Sequence, residues 1–85
     1  MDEGAFRTRA LNLLKRACGG VSVGDQPHLR IYDAGLIDSL ATVSLMAWIE
    51  KDLGITISPL DLDPTTWATP ELFVADLERR AGIAA

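Results

Sequence analysis

Three consecutive residues, Asp38-Ser39-Leu40, stand where an irregular stretch gives way to a strongly apolar segment, joining a carboxylate, a primary hydroxyl and an aliphatic side chain. A serine that opens a helix occupies a backbone setting favourable to a phosphate ester, because the first-turn amides lack partners and the helix dipole is positive there. Asp38 is placed to accept hydrogen bonds from those amides as an N-cap. Its charge opposes a neighbouring phosphate, so its local value lies in capping. The alternative for Ser39 is an ordinary helix-start hydroxyl. Other reactive side chains are scarce. Cys18 is the only cysteine, so it makes no internal disulfide and no structural zinc site, and its place between Leu14 and Gly19 reads as structural. His28 is the only histidine and sits beside Pro27, a loop or surface residue by its setting. Metalloenzyme and histidine-based triad readings lose their material. No base beside Ser39 and no oxyanion site can be named, so the sequence offers no catalytic and no metal-binding residue, and the chain is not expected to be an enzyme.

The elements that must position Ser39 follow from periodicity. Phe6, Ala10, Leu13, Leu14 and Ala17 recur at intervals of three and four, which predicts a first helix from Phe6 to about Cys18, stopped by Gly19-Gly20. Lys15 and Arg16 fall near its carbonyl end, where positive charge is favourable. Residues 19–38 form a long connection, too apolar for a free linker, with Val23, Leu29, Ile31, Leu36 and Ile37 as anchors and Gly35 at a tight bend. A second helix runs from Asp38 to about Leu53, with Leu45, Ile49 and Leu53 as its core residues. Val43, Met46 and Trp48 widen its apolar coverage beyond one stripe, which leaves apolar surface for a partner. Ile55 and Ile57 re-enter the core. Residues 60–68 read as a short helical turn or irregular segment with Trp67 anchored inward. Thr69 caps a last helix with Pro70 in its first position and Glu71 at its positive end, and Leu72, Phe73 and Leu77 are its core candidates before Gly82 closes it. The expected fold is all-α: a bundle of three main helices plus one short helix, with a long loop between the first and second helices.

Size and charge narrow the function. The 85 residues have room for one domain, 1–85, and one modest core. Hydrophobic residues make up 48% and charged residues 24%, ordinary for a folded domain, and no apolar run is long enough to span a bilayer. The acidic start lacks the basic flank and apolar core of a secretion signal, so a cytoplasmic location is the default. Net charge is −4, unevenly spread. Residues 1–30 hold five basic against three acidic side chains, whereas residues 31–64 hold Lys51 alone against six acidic ones. That acidic middle should attract basic protein surfaces and repel nucleic acid, although a merely solvated surface has the same composition.

The segment DAGLIDSLATVSLMAWIEKDLGI resembles the modification site and second helix of acyl carrier proteins, in which the serine of a D-S-L triplet opens the helix. The stretch DLDPTTWATPELFVADLE is similar to the D-alanyl carrier subgroup and related discrete aminoacyl carriers, where a tryptophan precedes a Thr-Pro helix start, here Trp67-Ala68-Thr69-Pro70. Together these likenesses cover roughly residues 31–78. The triplet alone is weak; with the acidic helix, the tryptophan segment and the chain length it is specific.

The resemblance implies a stand-alone carrier whose Ser39 is esterified by 4′-phosphopantetheine and whose cargo is held as a thioester on the arm. It implies that Asp38 helps orient the coenzyme A pyrophosphate and magnesium in the phosphopantetheinyl transferase complex. Leu40, Val43 and Ala47, on one side of the second helix, become the docking surface, with Asp38, Glu50 and Asp52 as contacts for basic residues; the competing assignment buries Val43 and Ala47. Ser44 stands where many fatty-acid carriers have a glutamate, which points away from the housekeeping fatty-acid carrier. The leading reading is polyketide or nonribosomal peptide biosynthesis, with an ATP-dependent adenylating enzyme loading the carrier and an acyltransferase or ligase unloading it. The alternative is D-alanyl transfer to teichoic acid. An unmodified helical interaction module is the reading from a different class. The free carrier is expected to be a monomer outside the membrane.

Overall fold

The computed structural model describes residues 2–63 and 65–83 and is all-helical, with no strand among them. Three α-helices appear in chain order: α1, Glu3–Ala17; α2, Ser39–Leu53; and α3, Pro70–Ala81. The fourth, short helix is not an α-helix. Its place is taken by a single 3-10 turn, Pro59–Asp61. Beyond it, the Asp63 carboxylate takes both the Thr65 amide (2.8 Å) and the Thr65 hydroxyl (2.7 Å), a side-chain turn that competes with helical hydrogen bonding.

Each α-helix is bounded by the chemistry of its ends. Asp2, Asp38 and Thr69 accept first-turn amides from Ala5, Ala41 and Leu72, so all three helices start on a side-chain cap. The first amide of α3, on Glu71 because Pro70 has none, lacks an acceptor inside its helix and donates instead to the Pro27 carbonyl at 3.1 Å, pinning the long loop to that helix. Gly54 ends α2 at φ 69°, a conformation that costs an L side chain 1–2 kcal/mol by rough estimate, and its amide returns to the Glu50 carbonyl.

α1 packs against both α2 and α3, presenting the predicted stripe of Phe6, Ala10, Leu13, Leu14 and Ala17, all buried. On α2 the buried face is Thr42, Leu45, Met46 and Ile49, spaced i, i+3, i+4, i+7; Leu53 is half-buried at its end. On α3 the expectation needs correction. Leu72 is 47% exposed, and Val74, which the sequence reading passed over, is fully buried. Pro70, Phe73, Val74 and Leu77 share one stripe at i, i+3, i+4, i+7, and Leu72 precedes Phe73 by 100° of helix rotation, which carries it off that face.

Across the helix pairs, Arg9 donates to the Asp52 carbonyl at the end of α2 (3.2 Å), and the Arg16 guanidinium lies 4.1 Å over the Trp48 ring. Trp67 is buried as expected and meets Phe73 edge-on at 5.0 Å. Its indole N–H donates to Asp76 at 2.9 Å, a carboxylate only 5% exposed that also takes Arg80 at 2.8 Å and a bond from Arg79. Burial by itself would push Asp76 up; the bonds from Arg80 and Trp67, the Arg80 charge and the bond from Arg79 outweigh it and hold the carboxyl below its ordinary value.

Candidate functional site

Ser39 is the first residue of α2 and is exposed. Asp38 beside it is exposed too and spends its carboxylate on the Ala41 amide at 2.8 Å. Its backbone carbonyl takes the first helical bond from the Thr42 amide at 2.9 Å, so the amides of Ser39 and Leu40 have no acceptor inside the helix. Those amides and the dipole end are what a phosphodiester on the Ser39 oxygen would face.

The loop leading to Ser39 is held on several sides. Ile31 donates to the Ala68 carbonyl (3.0 Å) and Leu36 to the Ile31 carbonyl (3.0 Å), and Gly35 turns the chain at φ 75°. Ile31, Val23 and Ile37 are buried, with Leu29 and Leu36 packed against the same cluster, as their apolar character predicts. From this loop the Tyr32 hydroxyl reaches the Thr42 hydroxyl at 2.7 Å. Tyr32 and Thr42 were not singled out in the sequence. The available signal was a threonine three residues after Ser39 on the same stripe as Leu45 and Ile49.

An open groove of about 300 Å³ runs beside Ser39, walled by Ser39, Val43 and Met46 of α2, by Tyr32, and by Pro59 and Leu62 from the segment around the 3-10 turn. The second helix therefore has two faces. Leu40 (77% exposed), Val43 (62%), Ala47 and Glu50 line the outer one at i, i+3, i+7, i+10, while the core takes Leu45, Met46 and Ile49. Burial of Val43 and Ala47 in the bundle is excluded. Met46 is buried and Trp48 half-buried, so both contribute mainly to packing. Asp52 is exposed at the end of the helix.

The remaining candidates lie apart from this site. Cys18 is buried at the end of α1, its thiol pushed up by burial, which suits a packing residue and opposes a thiolate nucleophile. His28 is 84% exposed, 3.5 Å from Glu71. Among the described residues no group of three or more His, Cys, Asp or Glu side chains could hold a metal ion.

An exposed serine at a capped helix start, with uncommitted amides and an open groove at its side, fits a phosphate-linked arm. The family described as phosphopantetheine attachment site matches residues 9–77, most of the chain. The chain belongs to that family. It is also 38% identical over 74 residues to the D-alanyl carrier proteins of Listeria welshimeri, Listeria monocytogenes and Listeria innocua. Each alignment covers 87% of this chain and 95% of the relative. The protein is thus a carrier of 4′-phosphopantetheine, not an enzyme. When bound, the arm supplies a terminal thiol that holds cargo as a thioester. What this chain presents beside Ser39 is a capped helix start with uncommitted amides and an outer helix face that is both acidic and apolar.

Proposed function

We propose that Ser39 carries the arm and that this chain, 1–85 as one domain, is an aminoacyl carrier with D-alanine as its cargo. The observation that supports the attachment site is the exposure of Ser39 at the first position of α2, on the wall of the groove. The cargo reading rests on likeness to D-alanyl carrier proteins along nearly the whole chain. Placement in polyketide or nonribosomal peptide biosynthesis has no comparable support, and membership of the carrier family displaces the unmodified interaction module. Carriers of this family work with a phosphopantetheinyl transferase and with loading or ligating enzymes. Here the loading partner is an ATP-dependent adenylating enzyme and the unloading partner an acyltransferase or ligase, in the cytoplasm where coenzyme A and ATP are supplied.

The cargo test uses the arm-bearing protein with a D-alanine-activating ligase and ATP, read by intact mass. D-alanine is expected to load in preference to L-alanine, glycine and short carboxylic acids. Loading of a carboxylic acid with no transfer of D-alanine would overturn the assignment.

Leu40 and Val43, flanked by Asp38 and Glu50, are the proposed docking face for a basic enzyme surface with an apolar centre. Leu40→Glu is expected to slow loading by about tenfold or more, the effect of removing an interface anchor, while arm attachment changes less. Its melting temperature should match wild type, because the side chain is mostly in solvent. Equal loss of loading and arm attachment, or loss of the fold, removes the docking assignment.

A further inference from the structure

The Thr42 hydroxyl has one proton and two oxygen neighbours. It donates to the Asp38 carbonyl at 2.8 Å, and it lies 2.7 Å from the Tyr32 hydroxyl. Since its only proton is committed to the carbonyl, the Tyr32 hydroxyl must be the donor in the second contact. The result is a directed chain, Tyr32 to Thr42 to the carbonyl of Asp38, and that carbonyl belongs to the peptide unit containing the Ser39 nitrogen. We propose that Tyr32 is a positioning residue for Ser39, holding the first turn of α2 in register for arm attachment through Thr42 and the Asp38 carbonyl. The inference rests on Ser39 being the attachment site.

Three observations make the chain more than a local bond. Helix termini fray, and the first turn of α2 presents only exposed side chains at Asp38, Ser39 and Leu40, so local packing there is thin. Thr42 is buried, which fixes the middle of the relay in the body of the protein. Tyr32 is itself anchored: its carbonyl accepts Gly35 at 3.1 Å, and its neighbour Ile31 is bonded to Ala68 ahead of α3. The end of α2 that carries the arm is thereby referenced to the loop and, through it, to the third helix. The phenol also stays protonated as a donor, because burial pushes Tyr32 up, the bond to Thr42 lowers it in part, and Cys18 adds to the rise.

Tyr32→Phe tests this, since it keeps the ring that walls the groove and removes only the donor. Two readouts are needed: amide hydrogen exchange along α2, and steady-state kinetics of arm transfer from coenzyme A. Exchange at Ala41 and Thr42 is expected to quicken by about threefold to tenfold, the loss of one hydrogen bond, with exchange at Ile49 unchanged. Arm transfer should lose kcat by a similar factor with KM unaltered, because the Tyr32 hydroxyl is spent on Thr42 and acts on the placement of Ser39 rather than on coenzyme A. Thr42→Val should reproduce both effects, and the double variant should be no worse than Thr42→Val alone. Uniform quickening along α2, first-turn exchange as in wild type, or additive losses in the double variant would overturn the proposal. If Ser39→Ala still accepts the arm, the attachment assignment fails separately, and the exchange result continues to judge the relay.

Discussion

Ser39→Ala should accept no arm at all, with stability within about 0.5 kcal/mol of wild type, the usual range for surface changes. Arm attachment needs an oxygen that can be esterified at this position, and alanine has none. The fold loses little, because the side chain stands in solvent and α2 is capped by Asp38, whose bond to Ala41 is untouched. Alanine also has the better helix propensity by a few tenths of a kcal/mol, in rough terms. Intact mass after incubation with coenzyme A and a broad-range transferase reads the first effect, and chemical denaturation the second. Ser44→Ala, altering a half-buried serine farther along the same helix, is the control and should be modified normally. Arm addition to the Ser39 variant would remove the central assignment of the site.

The largest stability loss is expected at Trp67. Truncation to alanine should cost about 3–5 kcal/mol, the range for large aromatic deletions, a major part of the roughly 5–15 kcal/mol that holds a typical domain. The ring packs on Phe73, its N–H feeds Asp76, and the carbonyl of the next residue receives the loop that leads to Ser39. Urea denaturation at neutral pH measures the loss; a cost below about 1 kcal/mol would mean that Trp67 does not lock the bundle. Trp67→Phe separates the hydrogen bond from the bulk. Asp76 has a folded value below its unfolded one, so its contribution is present above the unfolded value and disappears as pH falls through the folded value. Removing the indole donor raises the folded value toward the ordinary one. Acid unfolding of Trp67→Phe, followed by circular dichroism, should therefore begin at a higher pH than in wild type; identical acid limbs would contradict the role given to this bond.

Much of this architecture is legible one helix at a time. The stripe on α1, the caps at Asp38 and Thr69, the glycine after α2 and the inward Trp67 are local matters of period and backbone chemistry, and each appears where the residues predict it. Errors begin where two faces of one helix are both apolar or where a charge is buried. In α3, the apolar trio Leu72, Phe73 and Val74 leaves the phase of the stripe ambiguous in the sequence, and Leu72, a core candidate by type, faces outward. Asp76 resembles a solvated residue in sequence, and only the convergence of Trp67, Arg79 and Arg80 makes its burial tolerable. In the segment 60–68 the sequence leaves a short helical turn and an irregular stretch open, and the structure holds a single 3-10 turn at Pro59–Asp61 followed by the Asp63 side-chain turn onto Thr65.

By itself the sequence determined that a serine opens an amphipathic helix behind an aspartate cap, and that this helix carries more apolar surface than one core can use. Both are properties of neighbours within a turn or two, where covalent spacing dictates geometry. Tertiary structure alone decided which apolar residues face outward, Leu40 and Val43 and not Met46, because that choice depends on where α1 lies. It also decided that Tyr32, ten residues from Thr42, would close a hydrogen-bond chain on the carbonyl before Ser39. Hydrogen bonds require placement to within a few tenths of an ångström, and no pattern of residue types specifies that across a folded loop.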